Sequence, residues 1–154
     1  MTIAVVAEKP SVARDIARTL GAADAREGLL CGNGYVVTWA IGHLVRLAEP
    51  HEIRPEWKKW SRALLPMLPR EWPLVVVAET KRQFDVVKKV LRDREVTEIV
   101  CATDAGREGE HIFRLIYEAA QCRKPALRLH GTANPATCSN TLRAPQAAPL
   151  SARR

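Results

Sequence analysis

A chain of 154 residues, 47% of them hydrophobic, suits one globular domain with a continuous core and sets aside disordered, fibrous and collagen-like classes. The net charge of +7 suits a polyanionic partner such as nucleic acid, although many proteins this basic bind none. Cys31, Cys101, Cys122 and Cys138 form no C-x-x-C pair and follow no secretory leader, so reduced thiols in a cytoplasm are expected; the longest apolar runs are far too short to cross a bilayer.

Ile3 to Ala7 is an unbroken apolar run, the pattern of a parallel strand buried on both faces. It runs into Glu8-Lys9-Pro10-Ser11. Ser11 is a candidate cap for a helix carrying Val12, Ile16 and Leu20, and Gly21 is its stop. Glu8 therefore falls at the carboxyl end of a strand, the edge where open α/β sheets place their sites. Leu29 to Trp39 reads as a hairpin around Gly32-Asn33-Gly34, followed directly by Gly42-His43-Leu44. Glu49 to Pro73 holds five prolines and Trp57, Trp60 and Trp72 with no sustained period, so an irregular surface excursion pinned by its tryptophans is expected. Base stacking is the other use of such tryptophans.

Leu74 to Ala78 is a further candidate strand, and Thr80 to Asp93 is an amphipathic helix with Phe84, Val87, Val90 and Leu91 on its apolar face. A short apolar run, Glu98 to Ala102, then leads into Cys101-Ala-Thr-Asp-Ala-Gly-Arg-Glu-Gly-Glu110 and a helix to about Ala120. Ala126 to Leu129 is a final candidate strand. Alternation of strands and helices predicts a mostly parallel sheet covered on both faces. Beyond His130 the chain contains no acid and is rich in Ala, Pro, Thr and Ser, the composition of a disordered tail.

Asp104 sits at the expected end of a strand, Gly106 and Gly109 loosen the turn, and Glu108 and Glu110 fall in the first helical turn, where the dipole favours carboxylates. Parallel packing would carry Glu8 to the same edge, and hard oxygen ligands there suit Mg²⁺. The alternative is that these are ordinary loop and helix-start acids. Lys9 and Arg107 lie beside them and suit a phosphodiester, or else simply pair with neighbouring acids. His43 is either a phosphate contact or a structural histidine, and Arg114 is spaced to pair with Glu110. No G-x-x-x-x-G-K-[ST] or G-x-G-x-x-G motif is present.

Three stretches in order, AEKPSVARDIARTLG, GNGYVVTWAIGHLVRLAEP and ATDAGREGEHIFRLIYEAA, resemble the opening Toprim domain of bacterial type IA DNA topoisomerases, most like the topoisomerase III branch. The resemblance covers about residues 1 to 130. It implies an α/β Toprim-like fold with a mostly parallel four-stranded sheet flanked by helices, an inserted hairpin and a disordered, non-family tail at 131–154. Glu8 matches the family's proton-transferring and metal-binding glutamate, and Lys9 a phosphate-contacting lysine. Asp104 and Glu108 match the first aspartate and the glutamate of an Asp-x-Asp-x-Glu pattern and are expected to bind Mg²⁺, while Arg107 matches an arginine that contacts DNA. Gly106 stands where the fuller pattern has its second aspartate, which removes one ligand, and Glu110 is a weak candidate to replace it.

Such enzymes cleave single-stranded DNA with a tyrosine from a later domain. Tyr35 and Tyr117 match no such motif, so no nucleophile is expected in this chain. The resemblance thus implies a truncated or frame-shifted member that relaxes no DNA alone, with the missing topoisomerase domains as partners in trans. A stand-alone Toprim nuclease and a non-catalytic DNA-binding remnant are the alternatives.

Overall fold

The computed structural model describes residues 2–129, and the expected disordered tail lies outside them. Eight strands are present among the described residues: β1 (Thr2–Ala7), β2 (Asp24–Arg26), β3 (Leu29–Gly32), β4 (Tyr35–Trp39), β5 (Val45–Leu47), β6 (Leu74–Val76), β7 (Val96–Ala102) and β8 (Ala126–Arg128). The α-helices are α1 (Pro10–Leu20), α2 (Pro50–Ile53), α3 (Lys81–Arg92) and α4 (Arg107–Ala119). Six strands form one sheet in the order β2-β3-β4-β1-β7-β8. Within it β4, β1, β7 and β8 run parallel, and β2 and β3 add an antiparallel edge.

Strand β1 shows why its apolar run does not alternate. Ala4 and Val6 face a cluster with Phe84, Val87 and Leu91 of α3 and Ile112, Phe113 and Ile116 of α4. Val5 and Ala7 face the opposite cluster with Ala13, Ile16 and Leu20 of α1. Both faces are thus covered, as a parallel strand requires. Each fully buried Val, Leu, Ile or Phe in these layers contributes about 1.5–3 kcal/mol.

The expected hairpin exists, with Asn33 (φ 49°) and Gly34 (φ 79°) as a two-residue turn of positive φ that matches the twist of its strands. Its second strand, however, is no insertion. β4 pairs in parallel with β1, Ile3 opposite Tyr35 and Ala7 opposite Trp39, and so supplies one of the four parallel strands.

The run at Leu74 occupies no place in that sheet. It pairs antiparallel with β5 in a separate ribbon, Val45 opposite Val76. The ribbon's Val45, Leu74 and Val76 pack in the same core cluster as α4. Ser11 does not cap α1: the helix starts at Pro10, whose fixed φ and missing N–H suit the first helical position, with Lys9 as the extended residue before it. Gly21 does end the helix, at φ 74°. The excursion between β5 and β6 is mostly irregular, with α2 and short 3₁₀ turns at Pro55–Lys58 and Arg62–Leu64. Of its tryptophans only Trp57 is buried, so Trp60 and Trp72 do not pin it.

Candidate functional site

Ala7 and Ala102 are register partners at the carboxyl ends of β1 and β7, so the residues that follow them emerge at one sheet edge. Glu8 is the first residue beyond β1 and Asp104 the second beyond β7. The structure joins them: the Asp104 backbone N–H donates to Glu8 Oε2 at 3.1 Å. Lys9 Nζ stands 3.7 Å from Glu8 Oε1, with the lysine side chain exposed and the glutamate largely covered. Glu108, in the first turn of α4, projects into solvent and has His43 Nε2 3.6 Å from its Oε1. His43 reaches it because it immediately precedes Leu44 and β5, which pack against α4. Asp104 and Arg107 are exposed, and among the described residues their side chains form no hydrogen bond or ion pair.

Glu8 and Asp104 are therefore brought together, with Lys9 beside them, while His43 and Glu108 form a second contact at the start of α4. No three acids, histidines or cysteines among the described residues converge into a ready-made metal cage. The donor set still separates by chemistry. Glu8, Asp104 and Glu108 are hard oxygen donors with no arginine on their carboxylates, whereas Glu110 is fully engaged by two.

Glu110 accepts from Arg114 Nε at 2.5 Å, the pairing expected from i,i+4 spacing, and from Arg128 Nε at 2.7 Å. Burial alone would raise its pKa; the hydrogen bonds from Arg128 and Arg114 outweigh this and hold the carboxyl below the usual range. It anchors the turn, its carboxylate taken up by two arginines.

Arg128 was not foreseen. It is buried in β8, and besides Glu110 its Nη1 donates to the carbonyls of Thr103 (3.2 Å) and Asp104 (3.3 Å). Thr103 Oγ1 in turn donates to the Gly109 carbonyl at 2.9 Å. These bonds clamp the Thr103–Asp104 backbone between β8 and α4. The signal in the sequence was a lone arginine inside Ala126-Leu-Arg-Leu129, since a buried cation demands a buried acid.

The two glycines also differ from expectation. Gly109 does not loosen the turn; it lets α4 press on the strand end, because a Cβ there would meet Asp104 O at 2.3 Å. Gly106 is the extended N-cap of α4, and a Cβ there would meet nothing within 4 Å.

A family model described as Toprim domain matches residues 3–132. The chain belongs to the Toprim family. Among curated relatives, the DNA topoisomerase 3 of Shouchella clausii is 54% identical over 126 residues, covering 82% of this chain and 17% of the relative. Those of Staphylococcus epidermidis (46% over 125 residues) and Bacillus anthracis (50% over 125 residues) each cover 81% of this chain, and 18% and 17% of themselves. The Toprim chain thus spans less than a fifth of the length of these relatives. No helix among its described residues is long and apolar enough to cross a membrane.

Proposed function

We propose that residues 1–130 act as the Toprim domain of a type IA, topoisomerase III-like reaction, holding Mg²⁺ and the scissile phosphate of single-stranded DNA during cleavage and religation. The observation that carries this is the meeting of Glu8 and Asp104 at the carboxyl edge of β1 and β7, with Lys9 beside Glu8 and the His43–Glu108 contact at the start of α4. Glu8, Asp104 and Glu108 would hold the ion, which when bound neutralises phosphate charge. Glu8, the least exposed of the three, is suited to exchange a proton with a sugar 3′ oxygen. Lys9 and Arg107 supply cations for phosphate oxygens, and His43 orients Glu108 or donates to the phosphate itself. A cytoplasmic location belongs to the same reading.

Neither tyrosine sits at this edge. Tyr35 opens β4 at the opposite end of the parallel strands, and the Tyr117 hydroxyl donates to the Lys124 carbonyl. The 154 residues alone are therefore expected to relax no supercoiled DNA, the nucleophile coming from topoisomerase domains in trans. The test is to graft the matched segment in place of its counterpart in the Shouchella clausii relative. Relaxation that disappears on Asp104→Ala or Glu8→Ala supports the reading; a folded graft that relaxes nothing, or one indifferent to both substitutions, overturns it.

A tyrosine at this edge is not needed by a Toprim nuclease that uses water. Mg²⁺-dependent nicking by the 154-residue chain, lost on Glu8→Ala, would favour that reading. Salt-sensitive DNA binding with no cleavage under any metal would mark a binding remnant instead.

A further inference from the structure

The excursion from Arg54 to Trp72 carries features that the acidic junction does not use. Trp60 is 75% exposed and Trp72 43% exposed, while Trp57 is buried beneath the Arg54 guanidinium, 5.1 Å from its ring centroid. Two large aromatic faces thus stand in solvent, and Leu65 and Leu68 beside them are also exposed. The same stretch holds five cations, Arg54, Lys58, Lys59, Arg62 and Arg70, against two acids, Glu56 and Glu71. Among the described residues Lys58, Lys59, Arg62 and Arg70 join no ion pair.

We propose that residues 54–72 form a contact surface for single-stranded DNA, with Trp60 and Trp72 stacking on bases and Lys58, Lys59, Arg62 and Arg70 facing phosphates. Charge decides the partner. The centres of protein interfaces are depleted of lysine, yet Lys58 and Lys59 directly precede the most exposed tryptophan. Exposed aromatic rings among unpaired cations are the combination that holds single strands, since every base has a π-face and the backbone carries the charge. Double-stranded DNA would offer the tryptophans no open base faces.

The surface is fixed to the reaction edge by the fold. Its root is capped at α2 by reciprocal Glu49 and Glu52 bonds, and Arg46 grips Glu52 with two hydrogen bonds of 2.7 and 2.9 Å. The ribbon β5–β6 that bears it packs on α4, the helix of Arg107 and Glu108. The inference rests on the reading that the chain acts on DNA, and adds where a strand lies beyond the scissile phosphate.

The test is anisotropy of a fluorescent oligothymidine with the full chain in EDTA and low salt, which removes any contribution of a bound metal. Trp60→Ala/Trp72→Ala is expected to weaken binding by roughly tenfold or more, and Trp60→Phe/Trp72→Phe to restore most of it. Lys59→Gln/Arg62→Gln is expected to flatten the log-log salt slope by about 1.4, at about 0.7 per phosphate contact. Both tryptophans are exposed, so circular dichroism of the alanine variant should match the parent. Parent binding with no loss in the tryptophan variant overturns this surface and leaves the DNA reading standing. No binding by the parent, with or without Mg²⁺, overturns both. A variant that changes only the oligomeric state in sedimentation assigns the patch to protein contact and sinks the inference.

Discussion

Gly109→Ala separates a packing constraint from helix propensity, and the two predict opposite signs. Alanine within a helix is ordinarily better than glycine by up to about 1 kcal/mol, and Gly109 lies in the first turn of α4. Here the new Cβ would lie 2.3 Å from Asp104 O, 2.9 Å from Asp104 N and 3.0 Å from Asp104 C, all backbone atoms that cannot rotate away. Bringing the closest contact to 3.0 Å moves the helix start or the strand end by at least about 0.7 Å. Overpacking of this kind costs about 1–3 kcal/mol, so the net expectation is a loss of about 0–2 kcal/mol rather than a gain. The displaced residue is Asp104, which on the proposed function holds the ion, and on that reading a misplacement approaching 1 Å costs on the order of 10²-fold in rate. Urea denaturation of the chain and relaxation by the grafted enzyme measure the two effects. A variant about 1 kcal/mol more stable with full activity would refute the close-approach argument.

Gly106→Asp is the contrasting substitution: with open space around it and an extended N-cap backbone, it should stabilise α4 by a few tenths of a kcal/mol and restore the acid of the fuller family pattern, which a thermal melt and a Mg²⁺ titration together would check. Arg128→Met should cost about 1–3 kcal/mol in urea denaturation, because it leaves Glu110 with Arg114 alone and takes the buried donor away from the Thr103 and Asp104 carbonyls. The carboxyl of Glu52 is pushed down to about 2, first by the Arg46 hydrogen bond and then by the Glu49 N–H. Its contribution is therefore complete above the ordinary value near 4.5 and lost as pH falls through about 2; NMR titration of the carboxyl should show this, and Arg46→Met should return it upward.

The strands buried on both faces were legible because Ile3 to Ala7 and Ile99 to Ala102 carry apolar residues on every position, and α3 because Phe84, Val87 and Leu91 recur at helical spacing. The hairpin turn was legible in its residues, but turn chemistry says nothing of which further strand β4 will join. β2 and β5 went unseen for a physical reason: three residues are too few for a period, and Asp24 to Arg26 is an exposed edge guarded by charge. Glu8 and Asp104 stood out by their place after strand ends and by family likeness, and the fold brings them to one sheet edge. Neither source reveals a clamp. Arg128 lies eighteen residues from Glu110 in the chain, and only folding of β8 beside β7 brings them into contact. The tryptophans illustrate the limit from the other side, since identical residues in one segment divide into a buried anchor and two exposed faces.

The most direct measurement is a Mg²⁺ titration of the full chain followed by carboxyl resonances in NMR. The account predicts saturable shifts at Glu8, Asp104 and Glu108 with little change at Glu110, and their loss in Asp104→Asn. Saturable binding that bypasses these three carboxylates, or survives that substitution unchanged, would contradict it.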